Sequence, residues 1–350
     1  KYSLQLGDML FSHINSDFHL GKTALIKNQA QRLIHGINLL LIRLDKTKVN
    51  PIFFQYQFKY KRKQGVFISI AQKAVNQSSI NQSKLKNLDF VLPPLSIQDT
   101  IVSKIDELFS ELDKGIESLK LAQQQLKVYR QSVLKWAFEG RLTNENVKEG
   151  ELPEGWKIVK LKSITESIQY GYTESSSKDA IGPKFLRITD IQENRVEWND
   201  VPYCKITKDN KKKYLLKDGD LVFARTGATV GKSFLIKGEI PEAVFASYLI
   251  RVRVKTEINE RFLSYFFLSP IYWNQITEGQ VGIGQPNVNG SKLGQLDIVL
   301  APLKDQSKIV EELENHLSIA DKMEESIAQG LQQAEAMRQS ILKRTFEHSL

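Results

Sequence analysis

Cysteine occurs once in 350 residues, at Cys204, so no internal disulfide can staple the fold and the position suits a small, partly buried side chain. The five histidines (His13, His19, His35, His316, His348) lack the spacing of metal ligands, and no metal site is expected. No apolar run approaches the roughly 20 residues that span a bilayer, and no signal-like segment follows Lys1. The expectation is a cytoplasmic protein, without a membrane partner, cut from a longer chain. Acid is scarce where the chain is most globular. Residues 1–95 hold 14 Lys and Arg against 4 Asp and no Glu, a net charge of +10, and residues 156–303 hold 21 basic against 16 acidic groups, a net +5. Residues 96–140, 141–155 and 304–350 carry −1, −2 and −3. Basic globular pieces joined by acidic segments predict that the former meet a polyanion and the latter meet protein. A solvated basic surface with no partner is the plainer alternative.

The chain contains most of itself twice. Shifted by 208 positions, Leu88, Asp89, Val91, Leu92, Pro94 and Leu95 fall on Leu296, Asp297, Val299, Leu300, Pro302 and Leu303. The register holds to the end, where Arg130–Lys135 falls on Arg338–Lys343 and Phe138-Glu139 on Phe346-Glu347. Gly7–Phe11 falls on Gly219–Phe223 at an offset of 212, so only four residues separate the two registers. Each repeat is too large for a solenoid unit and reads as a mixed α+β domain followed by a long helix.

The helices follow from a 4-3-4-3 stepping of apolar and small residues, from Ile101, Ile105, Leu108, Leu112 and Gly115 to Val133 and Trp136, echoed from Ile309 and Leu313 to Ile341 and Arg344. Each spans roughly 40 residues, or about 60 Å. Small residues on the seam (Gly115, Ala122, Ala320, Gly330, Ala334) permit close approach. Parallel packing would require the short connection from Arg141 to Gly155 to return that whole distance, close to its limit when fully extended. An antiparallel coiled coil with pseudo-twofold symmetry is therefore expected; separate coiled coils that bind other chains are the alternative. The divisions that result are a first domain at 1–95, a helix at 96–140, a linker at 141–151, a second domain at 152–303 and a second helix at 304–350. Within the domains, Leu221–Ala224 and Tyr248–Val254 alternate as strands, and Asn50–Phe58 and Asn259–Phe267 read as helices.

Two motifs imitate chemistry. Gly227–Ser233 is one residue short of a phosphate loop and leads into Phe234-Leu235-Ile236, which reads as strand, so a tight turn presenting lysine is the reading. Asn50-Pro51-Ile52-Phe53 imitates a methyltransferase Asn-Pro-Pro-aromatic motif, but Asn as helix cap with Pro at the first helical position accounts for it. More useful is Glu278–Asn289, whose Gln280, Gln285, Asn287 and Asn289 supply amides able to bond bidentately to adenine. The first repeat offers Gln72, Lys73, Gln77 and Asn81 at the corresponding place. Lys61, Arg62 and Lys63, and Lys211, Lys212 and Lys213, suit phosphates. Tyr170, Tyr172, Arg225, Thr226 and Lys232 complete the candidate DNA contacts, and an ordinary polar loop is the alternative at each.

Taken in order and twice over, Leu92-Pro93-Pro94-Leu95, Gln98 and Ile101-Val102, then Pro302-Leu303, Gln306 and Ile309-Val310, resemble the specificity subunit of type I restriction-modification systems. So do the opener Leu152–Trp156, Gly219-Asp220-Leu221 with Arg225-Thr226-Gly227 and Val230-Gly231-Lys232, and Gln285 with Asn289. The resemblance covers nearly the whole chain. It implies two target recognition domains, each reading one half of a split double-stranded DNA sequence, with no chemistry and no cofactor in this chain. The implied partners are two methyltransferase subunits, which use S-adenosylmethionine, and restriction subunits, which use ATP and Mg. One departure stands out: Gly219 lies 67 residues after Leu152, whereas only six residues precede Gly7. The amino-terminal part of the first domain is expected to be missing. A coiled-coil adaptor with basic ends and a lone methyltransferase are the rival readings.

Overall fold

The computed structural model describes residues 3–28, 34–144, 146–148, 150–192, 194–278 and 288–348. The chain divides into two compact units, Lys1–Gln123 with Glu325–Leu350, and Gln124–Glu324.

The first unit comprises β1 (Met9–Ser12), β2 (Ile14–Asn15), β3 (Thr23–Leu25), β4 (Leu39–Ile42), α1 (Pro51–Lys63), α2 (Val66–Ser69), β5 (Gln72–Ala74), β6 (Gln77–Ser79), α3 (Gln82–Lys86), the start of α4 (Leu95–Phe138) and the end of the carboxy-terminal helix. Strand β1 is the centre of an antiparallel sheet, with Leu10 opposite Ala24 of β3 and Leu41 of β4. Helix α1 begins where the Asn50 side chain accepts the backbone N–H groups of Ile52 and Phe53, with Pro51 at a position that needs no N–H. The helix is apolar on two sides. Phe58 joins Met9, Phe11 and Phe67 under the sheet, while Phe53 and Tyr56 pack on Val102, Ile105 and Leu342 of the long helices. The amide nitrogen of Asn50 donates to Asp99, so the side chain is fully engaged in capping and tethering, not poised for base chemistry.

The second unit comprises β7 (Lys157–Lys160), β8 (Thr165–Tyr170), β9 (Ser176–Ser177), β10 (Lys184–Leu186), β11 (Ile191–Gln192), β12 (Arg195–Val196), β13 (Tyr203–Cys204), α5 (Lys208–Tyr214), β14 (Leu221–Ala224), β15 (Ser233–Leu235), β16 (Ala243–Phe245), β17 (Leu249–Val254), α6 (Glu260–Phe266), α7 (Pro270–Glu278), α8 (Gly290–Gly294), β18 (Asp297–Leu300) and the first part of α9 (Leu303–His348), together with the end of α4. Its main sheet, in the order β15-β14-β17-β8, repeats β3-β1-β4 and adds β8. A second sheet, β16-β10-β13-β9, encloses Cys204, whose thiol is pushed up to about 11 by burial and stays neutral. Strand β18 pairs with β7. Its counterpart in the first unit, residues 89–92, pairs with no strand among the described residues; the Gln57 side chain bonds the N–H and C=O of Val91 instead.

The repeat extends to single hydrogen bonds. The buried carboxylate of Asp8 accepts Nε and Nη2 of Arg43 at 2.8 and 2.7 Å, and that of Asp220 accepts the same two nitrogens of Arg253 at 2.7 and 2.8 Å. Hydrogen bonding to Arg43 holds the Asp8 carboxyl below its usual range. Tyr56 bonds Asp106 of α4, and Tyr265 bonds Glu314 of α9 in the same way.

Segments of α4 and α9 pair in antiparallel fashion inside each unit. In the first, Arg338 bonds Asp113 and Gly330 meets Leu119; in the second, Arg130 bonds Asp321 and Tyr129 bonds His316. The seam is narrower than the sequence pattern implies. Ile105, Leu126 and Val133, with Leu313, Ala320, Ile327 and Ala334, are buried, whereas Leu108, Gly115, Trp136, Met323 and Met337 of the alternate row are exposed. A Cβ at Gly115 would meet nothing, so the expectation that this glycine permits close approach fails there and holds at Gly330.

Candidate nucleic-acid interface

One end of the main sheet of the second unit gathers several of the sequence candidates. Arg225 follows β14, Tyr170 ends β8 and Tyr248 precedes β17, positions brought together because Ala224 pairs with Leu249 and Tyr170 with Ile250. The Arg225 N–H donates to the Tyr248 carbonyl at 3.1 Å, and the Arg225 carbonyl accepts Val288 N–H at 3.0 Å. The Tyr170 hydroxyl accepts Gly290 N–H at 2.9 Å, and the Arg225 guanidinium lies 4.9 Å from the centre of the Tyr170 ring. Asn289 caps α8 by accepting Lys292 N–H at 2.8 Å. Gln280, Gln285 and Asn287 lie outside the described residues, but the backbone that follows them is anchored here through Val288 and Gly290.

The adjoining turn carries Thr226 and Lys232, the latter exposed. Gly231 has φ +81°, and a Cβ there would come within 3.0 Å of Ile276, while its carbonyl accepts the buried Tyr272 hydroxyl. Gly21 does the same against Phe67 in the first unit, with φ +75°. These are close-packed turns leading into the strands β15 and β3, whereas a phosphate loop leads into a helix.

Other candidates have structural partners. Arg62 donates to the carbonyls of Leu20 and Phe18 at 3.0 and 2.6 Å, and Lys63 pairs with Glu335 at 3.5 Å. Lys61 lies over the Phe90 ring. Lys63 lines a cleft of about 330 Å³ with Lys22, Lys59 and Arg338, where burial, with repulsion from Lys27 and Arg338, depresses the Lys59 ammonium. Lys211 bonds Glu242 at 2.9 Å and Lys213 lies over Tyr214, whereas Lys212 is exposed. The three lysines end α5, where cations also favour the helix dipole. Tyr172 is partly buried against Tyr214 at 5.3 Å, so its ring serves packing. Gln72, Lys73 and Gln77 were expected on a loop; they form the exposed hairpin β5–β6, with Lys73 3.7 Å from Asp17. Asn76, at φ +62° in the tip between the two strands, is the residue type that tolerates the left-handed conformation a tight hairpin turn needs, and is the local signal for it. Tyr248, 63% exposed, lies in a stretch whose alternation shows only a strand; the pairing of β14 with β17 sets this large aromatic beside Arg225.

Residues 1–121 and 153–333 match the family model for the type I restriction modification DNA specificity domain. The chain belongs to this family. A putative type I restriction enzyme MjaX specificity subunit of Methanocaldococcus jannaschii is 31% identical over 320 residues, covering 89% of this chain and 72% of that one. The type I restriction enzyme EcoKI specificity subunit of Escherichia coli K12 is 26% identical over 288 residues, covering 81% and 62%. Among solved structures, one of a chain from a type I R-M system, concerned with complex assembly and conformational transition, superposes with a TM-score of 0.77 at 18% identity, covering 99% of this chain and 83% of that one. The crystal structure of the HsdS subunit from Thermoanaerobacter tengcongensis gives 0.61 at 18%, covering 99% and 82%. Each of the two stretches matched by the specificity-domain model covers most of one copy of the internal repeat and ends within its long helix. Among the described residues, no group of acidic, histidine or cysteine side chains could hold a metal, and no helix is long and apolar enough to cross a membrane.

Proposed function

We propose that this chain is the non-catalytic, sequence-reading subunit of a type I restriction-modification complex, and that each basic domain contacts one half of a split double-stranded DNA target. The observation that carries the reading is the repetition of one constellation in a chain of this family: a strand from Gly-Asp, a return strand and an Asn-capped helix, meeting at one sheet end. In this reading the exposed Lys73, Lys212 and Lys232 meet phosphates, and Arg225, Asn289, Gln72 and Gln77, with the amides of Gln280, Gln285 and Asn287, meet base edges. Domains at 1–95 and 152–303 then read DNA. The acidic helices at 96–140 and 304–350 dock two methyltransferase subunits and the restriction subunits, which bring S-adenosylmethionine, ATP and Mg.

The test is to express the complete protein with its cognate methyltransferase in a methylation-free host and map N6-methyladenine across the genome. A motif of two short specific halves around a fixed unspecified spacer is expected. Methylation by the assembled complex without sequence preference would favour an adaptor, and S-adenosylmethionine binding by this chain alone would favour an enzyme.

A further inference from the structure

We infer that Arg225 reads a guanine edge for the second unit, and that the equivalent position of the first unit, His13, is withdrawn from base contact, so that the two copies of one scaffold read DNA by different chemistry. The inference rests on the DNA-reading function proposed above.

The two positions are the same place in the fold. Each follows the strand that starts after Gly-Asp. His13 N–H donates to Asn38 O at 3.2 Å as Arg225 N–H donates to Tyr248 O at 3.1 Å. His13 O accepts Ile80 N–H at 2.9 Å as Arg225 O accepts Val288 N–H at 3.0 Å, and an Asn cap follows each time, Asn81 or Asn289.

The side chains are in opposite conditions. Both ring nitrogens of His13 face backbone carbonyls, Nδ1 3.2 Å from Ile80 O and Nε2 3.0 Å from Ile37 O; a neutral ring donates to one of the two, and both of its polar edges are turned toward the chain itself. The guanidinium of Arg225 makes no hydrogen bond among the described residues, and its Nε is buried and unpartnered. Its contact is the Tyr170 face, and Tyr170 is itself fixed through its hydroxyl by Gly290 N–H. A half-buried guanidinium with unmet donors is costly to hold. Stacking on a fixed ring restrains its planar fork, which suits the O6 and N7 acceptors of guanine. A phosphate contact needs only charge, and exposed lysines such as Lys232 supply that nearby.

The test uses the complex of the complete protein with its methyltransferase, as wild type, R225K, R225A and H13A. Methylation is mapped genome-wide, and binding is competed with duplexes altered at each G·C pair of the motif. Lysine keeps the charge and loses the fork. With R225K and R225A, discrimination at one G·C pair of one half-site should fall about 10- to 100-fold, with the other half-site and the spacer unchanged. H13A should leave base preference unchanged at every position. Retention of the full motif by R225K, or a uniform loss at all sites by the still-assembled R225 variants, would mark a phosphate contact and overturn the inference. So would relaxation by H13A, or a wild-type motif without a fixed G·C pair. A wild-type complex with no split motif would instead sink the function on which the inference rests.

Discussion

Gln98 and Gln306 sit in the first turns of α4 and α9, and both are buried to within 1% of completely. Gln98 Oε1 accepts Asn50 N–H at 2.8 Å, and its Nε2 donates to Lys48 O and Pro93 O at 2.9 and 2.8 Å. Gln306 Oε1 accepts Asn259 N–H at 2.9 Å, and its Nε2 donates to Ala301 O at 2.8 Å. Each amide therefore ties the start of a long helix to the cap of the short helix that enters its domain. Replacing either glutamine by alanine strands buried donors and acceptors and should destabilise the protein by about 2–3 kcal/mol, measured by urea unfolding. A loss below about 0.5 kcal/mol would show that neither amide holds the junction. The sequence displayed both glutamines as matching positions of a repeat. Their task was hidden, because their partners lie up to 50 residues away and are backbone groups, which leave no trace in residue identity.

At the scale of elements, the heptad stepping that starts at Ile101 and at Ile309 lies wholly inside two long helices, which begin six residues earlier at Leu95 and Leu303, since burial of one stripe at a 3.5-residue period leaves few alternatives. It did not distinguish the buried row from the exposed one. An α-helix drifts by about 20° per heptad against a 3.5 repeat, so one row can stay inside while the other moves to the rim. Gly115 and Gly330 separate the two situations. Gly115→Ala should raise stability by about 0.5–1 kcal/mol, the helix-propensity difference with nothing to displace. Gly330→Ala brings a Cβ to 3.1 Å from Leu119 Cδ1 and should gain less or nothing. Thermal unfolding of the two variants checks the contrast; an equal gain at both would mean the helices are not held closely at Gly330.

The whole molecule uses its repeat by exchange. Asp113 and Arg338 pair in the first unit, and Asp321 and Arg130, their counterparts at an offset of 208, pair in the second. Each unit thus takes one segment from each long helix, and α4 and α9 each contribute to both units. If those helices set the distance between two reading domains, four residues inserted after both Ala122 and Ile327 add about 6 Å of helix. The methylated motif should then keep both halves and gain one to two base pairs of spacer. An unchanged spacer would remove the helices as the ruler.

The sequence by itself determined the duplication, the helices, the strand that follows each Gly-Asp pair and the Asn caps, because periodicity and capping are local and repeat residue by residue. Tertiary structure decided which candidates can contact a ligand. Arg62, Lys63, Lys211 and Tyr172 are bound to the fold itself, while strand pairing assembles Tyr170, Arg225 and Tyr248 from three distant stretches. The freedom of a cation depends on which carbonyls and carboxylates surround it, and only the folded chain fixes those neighbours.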